Sequence, residues 1–69
     1  MPTTDKPHLG PKYRDILRLT MDGLTMEEVG VELGMPTPTV KWYSDRLRRK
    51  FGVQKRSQLI RAGQRYFGD

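Results

Sequence analysis

The chain has 69 residues, no cysteine, and 13 Lys plus Arg against 8 Asp plus Glu, which leaves a net charge of +5. That length holds one small domain, and a domain this size buries only about 60% of the surface its unfolded chain exposes. Without cysteine there are no disulfides, cysteine zinc sites or thiol catalysis. A charge this dense points to a polyanionic partner, nucleic acid before membrane, and no apolar run approaches the roughly 20 residues of a membrane span.

Residues 1–10, MPTTDKPHLG, are polar and proline-bearing. They read as a flexible arm rather than a signal peptide, ahead of a single domain over residues 11–69. The first helix is predicted from about Pro11 to Asp22. Pro11 suits a first helical position, and Tyr13, Ile16, Leu17, Thr20 and Met21 share one face. Gly23 is placed to end it in a left-handed conformation. The second helix is predicted over Met26–Leu33: Thr25 caps it, Glu28 reciprocates three residues on, and Leu24 and Val29 stand where a hydrophobic staple needs them. Gly30 lies beside its buried stripe and admits another helix at close range, and Gly34 ends the helix. The third is predicted to begin with Thr37 as cap and Pro38 at the first helical position. Val40, Tyr43, Leu47 and Phe51 form its inward face, and Gly52 closes it. The fourth is predicted from about Lys55 to Phe67, with Leu59, Ile60, Gly63 and Phe67 in one stripe. No segment alternates with period two, so no strand is expected. A short helix, a glycine turn and a longer basic helix form the pattern of a helix-turn-helix.

The charge is unevenly placed. Residues 13–40 carry Arg14 and Arg18 against Asp15, Asp22, Glu27, Glu28 and Glu32, a net of −3. Residues 41–56 carry Lys41, Arg46, Arg48, Arg49, Lys50, Lys55 and Arg56 against Asp45, a net of +6. A basic block on the candidate recognition helix favours phosphate contact over a merely solvated face.

Several blocks then match a family. Leu9-Gly-Pro-Lys-Tyr-Arg-Asp-Ile-Leu-Arg-Leu, Gly23-Leu-Thr-Met-Glu-Glu-Val-Gly, Thr39-Val-Lys, Lys50-Phe-Gly-Val and Arg56-Ser-Gln-Leu occur in order and without gaps. Together they resemble the LuxR-type (GerE-like) DNA-binding domain over about residues 9–66. The stretch after Gly23 also resembles region four of bacterial sigma factors, a related helix-turn-helix, but the later blocks favour the LuxR side. The resemblance implies an all-α, compact four-helix bundle whose second and third helices form the helix-turn-helix. It implies a homodimer through the fourth helix, and, with only an arm in front, a stand-alone member without a sensor domain. Lys41, Trp42 and Asp45 are the positions that it turns toward DNA bases. Trp42 and Asp45 depart from the family's usual residues there. So does Tyr13, where glutamate is usual, as well as Pro36, where serine is frequent, and Tyr43, where histidine is.

The expected function is therefore a DNA-binding transcriptional regulator, cytoplasmic and nucleoid-associated, that places the third helix in a major groove of double-stranded DNA. Candidate DNA-binding residues are Thr39, Lys41, Trp42, Asp45, Arg46, Arg49, Lys50 and Lys55. Asp45 either repels phosphate or accepts from a cytosine amino group. Trp42 either packs on a thymine methyl group or anchors a protein. Arg56 is a candidate for an ion pair with an acidic residue of the first two helices. Leu59, Ile60, Gly63, Tyr66 and Phe67 are the candidate dimer interface, with packing onto the first helix of the same chain as the alternative. The rival function is a small adaptor or anti-activator on the same fold that binds another transcription regulator or RNA polymerase. No metal site, cofactor or enzyme activity is expected, because no paired His/Asp/Glu constellation shares a face.

Overall fold

A computed structural model describes residues 7–68. Four helices follow in order: α1 Pro11–Met21, α2 Met26–Leu33, α3 Thr37–Phe51 and α4 Arg56–Gly68. No strand occurs among the described residues. The bundle matches the all-α expectation, and helix ends fall within a residue of those read from the sequence.

The first three helices close the same way. After α1, α2 and α3 comes a glycine with positive φ: Gly23 at 93°, Gly34 at 68° and Gly52 at 69°. The next residue's N–H then reaches back five residues, Leu24 to Leu19, Met35 to Gly30 and Val53 to Arg48, at 3.2, 2.8 and 2.9 Å. This is the Schellman closure, which satisfies carbonyls that a helix end leaves orphaned. In each case the residue after glycine is apolar and packs against the core. The Gly-Leu, Gly-Met and Gly-Val pairs thus stop a helix and pin the exit at once.

Helix starts are less uniform. The α2 capping box is complete: Glu28 N–H donates to Thr25 Oγ1 at 3.1 Å, and Thr25 N–H to Glu28 Oε1 at 2.8 Å. The start of α3 differs from the sequence expectation. Pro36, not Thr37, holds the cap position, and Thr37 is the first helical residue. Pro36 has ψ 147°, and its carbonyl accepts from Val40 N–H at 3.1 Å. A proline has no side-chain acceptor, so α3 begins without a side-chain cap. At α4, Gln58 Oε1 accepts from the N–H groups of Gln54 and Lys55, both at 3.0 Å.

The core is assembled from every element: Ile16 and Leu17 of α1, Val29 of α2, Val40 and Leu47 of α3, and Leu59 of α4 are all at most 1% exposed. Burying side chains of this kind is worth about 1.5–3 kcal/mol each. Helices α1 and α3 each pack on all the others, whereas the α2 and α4 backbones do not approach closely. α3 is therefore clamped on one side and keeps its other face open.

Leu9, only 3% exposed, joins this core. The packed chain thus reaches back to Leu9, within the stretch read as the arm. Residues 1–6 of the expected arm lie outside the described residues. Gly30 and Gly63 both permit close approach, Gly30 to the turn before α3 and to Val40 of α3, Gly63 to α1 of the same chain, the alternative to a dimer contact. A Cβ on Gly30 would lie 2.5 Å from the Met35 carbonyl oxygen of the helix-turn-helix turn. A Cβ on Gly63 would lie 2.6 Å from Met21 Sδ of α1.

Candidate nucleic-acid interface

On α3 the sequence sorts itself by helical period. Val40, Ser44 and Leu47 face inward and are buried, with Phe51 half-buried behind them. Lys41, Trp42, Arg46, Arg49 and Lys50 are exposed on the opposite side, with Asp45 half-buried among them. Lys41 has no ion-pair partner among the described residues. Thr39 is half-buried on the first turn of the helix, and Lys55 is exposed in the turn before α4.

The outward side chains are held by specific contacts. Arg46 Nε donates to the Tyr13 hydroxyl of α1 at 3.1 Å, and its guanidinium lies 4.8 Å from the centre of the Trp42 ring. The Lys50 ammonium lies 5.2 Å from the Tyr13 ring centre. Tyr43 makes edge contacts with both Tyr13, at 5.0 Å, and Trp42, at 5.1 Å. Two rings from two helices, Tyr13 and Trp42, thus each lie under a cation, within the distance at which a ring face attracts positive charge, and Tyr43 braces both. Trp42 keeps 53% of its surface exposed, so this packing does not hide it. Arg46, Arg49 and Lys50 together line a shallow cationic hollow.

Asp45 does not stand as an isolated negative charge. Its Oδ1 accepts from Arg48 at 3.1 Å and its Oδ2 pairs with Arg49 at 3.4 Å, one helical turn on. Pairs this exposed contribute about 0–1 kcal/mol. They orient the two arginines and offset part of their charge without locking them. Removing the carboxylate frees Arg49 for phosphate, so Asp45→Asn is expected to tighten binding to random-sequence duplex about twofold to fivefold. Fluorescence anisotropy at fixed salt measures this. A loss of affinity would overturn that reading and point to a direct base contact by the carboxylate.

Arg56 departs from its expected role. Its guanidinium donates to the Leu24 carbonyl at 2.6 Å, not to a carboxylate. That carbonyl lies in the turn before α2. Arg56 thereby ties the start of α4 to that turn.

The candidate dimer residues divide. Leu59, 1% exposed, and the buried Gly63 belong to the protomer's own core, with Gly63 seated against Met21 and Leu17 of α1. For these two the structure shows the alternative, packing within the chain, with the small residue in the stripe admitting α1 at close range. Ile60, Tyr66 and Phe67 are half-buried. Phe67 carries the Arg18 guanidinium 4.3 Å from its ring centre, and Tyr66 packs edge-on against Phe51 and Phe67.

Sequence reasoning missed two features. Tyr13 shares the α1 face of Ile16 and Leu17, as expected, yet its hydroxyl and ring also reach the cations of α3. Val31, 84% exposed, lines a hollow with Glu27, Glu28 and Glu32 of α2 and Leu24 of the preceding turn. Its place off the Met26–Val29–Leu33 stripe was the available signal. Among the described residues no group of acidic, histidine or cysteine side chains could hold a metal ion. No helix there is long and apolar enough to cross a membrane.

Comparison with known proteins bears on this basic helix. The family model described as bacterial regulatory proteins, luxR family, matches residues 7–62. The chain is 44% identical over 46 residues to the transcriptional activator protein PhzR of Pseudomonas fluorescens, which covers 67% of the chain and 19% of that protein. It is 35% identical over 52 residues to the probable HTH-type transcriptional regulator GfsR of Streptomyces halstedii, covering 75% of the chain and 21% of that protein. The matched part is thus about a fifth of the length of these curated relatives. No solved structure is a significant match.

Proposed function

The chain belongs to the luxR family of bacterial regulatory proteins and carries its DNA-binding helix-turn-helix; from that premise we propose that it regulates transcription in the cytoplasm as a homodimer, each protomer laying α3 in a major groove. The observation that carries this reading is the clean division of α3, with Val40, Ser44 and Leu47 buried on one side and Lys41, Arg46, Arg49 and Lys50 exposed on the other. An α-helix fits the major groove, and cations on its flank meet the phosphates. Lys41, Trp42 and Asp45 lie nearest the bases in this arrangement. Arg46, Arg49 and Lys50 take the backbone, while Thr39 and Lys55 border the contact at either end of α3. Pairing along the outward edge of α4, through Ile60 and Phe67, supports two α3 helices at half-sites about 34–36 Å apart.

Titration with random-sequence duplex at several salt concentrations, with the mass in solution recorded alongside, tests the proposal. Log affinity is expected to fall with log salt by roughly 0.9 per neutralised phosphate, and the mass to be that of a dimer. Weak or salt-insensitive binding would sink it. That outcome would favour a second reading, in which the same fold docks on a basic surface of another regulator or RNA polymerase. One observation supports it: the apolar Val31 stands exposed among Glu27, Glu28 and Glu32 on α2.

A further inference from the structure

We infer that Tyr13, on α1, is a positioning residue for DNA binding: its hydroxyl and ring hold Arg46 and Lys50 of α3 in the arrangement that grips a single backbone phosphate. The inference rests on the DNA-binding reading above and assigns a role outside the helix-turn-helix.

The geometry carries it. Arginine has five N–H donors in a rigid fork. With Nε committed to the Tyr13 hydroxyl at 3.1 Å, the two terminal amino groups keep four donors, enough for the paired contact that phosphate favours. The guanidinium plane is limited on a second side by the Trp42 ring, 4.8 Å away. A long side chain fixed in this way loses less freedom when it binds than one that searches solvent. Tyr13 is itself half-buried and braced by the Tyr43 ring edge at 5.0 Å. Lys50 over the same ring and the hollow shared by Arg46, Arg49 and Lys50 complete a concave cationic spot open to a phosphate.

The two tethers in this spot differ in charge. Arg49 is oriented by the Asp45 carboxylate, which subtracts a negative charge from the site. Arg46 is oriented by a phenol hydroxyl, which holds it without that penalty. The neutral tether therefore leaves the full cation to the phosphate.

A double-mutant cycle on the full chain, read by anisotropy with random-sequence duplex DNA, tests the inference. Tyr13→Phe keeps the ring and removes only the hydroxyl; it is expected to weaken binding about fivefold. Arg46→Ala is expected to weaken it about tenfold. The double variant should bind like Arg46→Ala alone, because the hydroxyl acts through Arg46. Thermal melting of Tyr13→Phe, followed by circular dichroism, confirms that the fold is kept. Arg46→Lys, which retains the charge but has no Nε, should be equally blind to Tyr13→Phe. Unchanged binding by Tyr13→Phe would overturn the inference alone, as would a loss that persists in full without Arg46. A wild-type chain that does not bind duplex would overturn the DNA-binding reading and the inference together.

Discussion

Replacing Lys41 and Arg49 together by glutamate is expected to weaken binding to duplex DNA by about a hundredfold or more at near-physiological salt. The dependence of log affinity on log salt should flatten by about two. Both side chains are on the open face of α3, Lys41 exposed and the Arg49 side chain 77% exposed. Neither contributes to the core, so the fold should survive. The effect is large because each change removes a phosphate neutraliser and installs a repulsive charge at the same point. Both changes set a carboxylate one turn from Asp45, and each like-charge pair at this spacing costs the helix about 0.2–0.5 kcal/mol. That is too little to unfold the domain, and a thermal melt separates it from the binding loss. Anisotropy titrations at three salt concentrations give both affinity and slope. A loss under about threefold with an unchanged slope would remove α3 from the phosphate backbone. Binding would then have to come from another surface.

Local rules made much of this molecule legible in the sequence. The Thr25–Glu28 capping box, the glycine stops and the inward faces of α2 and α3 depend on neighbours within one or two turns, and such spacings are visible in the chain itself. The basic face of α3 was legible for the same reason. What escaped were contacts between residues far apart in sequence. Arg46 and Tyr13 are 33 positions apart, and so nothing in the periodicity of α1 announces that its Tyr13 hydroxyl accepts from α3. Arg56 was recognised as a tether but given a carboxylate partner, because acidic side chains can be counted in a sequence and an open carbonyl cannot. Gly63 is compatible with close packing on either side of α4. Only the placement of Met21 and Leu17 decides that the space is filled from within the protomer. Asp45 posed a different problem. As a composition feature it is a negative charge among positives, whereas in the helix both of its oxygens are met by arginines one turn away.

Gly30→Ala should be the most destabilising of these substitutions, lowering stability by about 2 kcal/mol and the melting midpoint by about 8–16 °C. Helix propensity alone predicts the opposite sign, since alanine inside a helix is favoured over glycine by about 1 kcal/mol. The clash decides the outcome. The added methyl would lie 2.5 Å from the Met35 carbonyl oxygen, and 3.6 Å from Val40 Cγ2. That carbonyl belongs to the three-residue turn between α2 and α3, whose Met35 N–H is already bonded to the Gly30 carbonyl at 2.8 Å. Backbone anchored in this way cannot swing aside as a side chain can, so α3 must tilt away from α2 or the closing bond must break. Gly63→Ala supplies the control. Its methyl would meet Met21 Sδ at 2.6 Å, the end of a flexible side chain, and the buried Leu17 at Cδ1 and Cγ, 3.0 and 3.2 Å away, which needs only a small shift. The gain in propensity should then leave stability within about 1 kcal/mol of the parent. In a domain this small, whose net stability rarely exceeds about 3–5 kcal/mol, the loss at Gly30 is a large fraction of the total. Because the displaced segment sets the angle of α3, DNA affinity should fall with it at temperatures where the variant is still folded. Melting curves for both variants decide the matter. A Gly30→Ala protein that melts within about 3 °C of the parent would mean that the turn yields freely and that α3 is not held at a fixed angle.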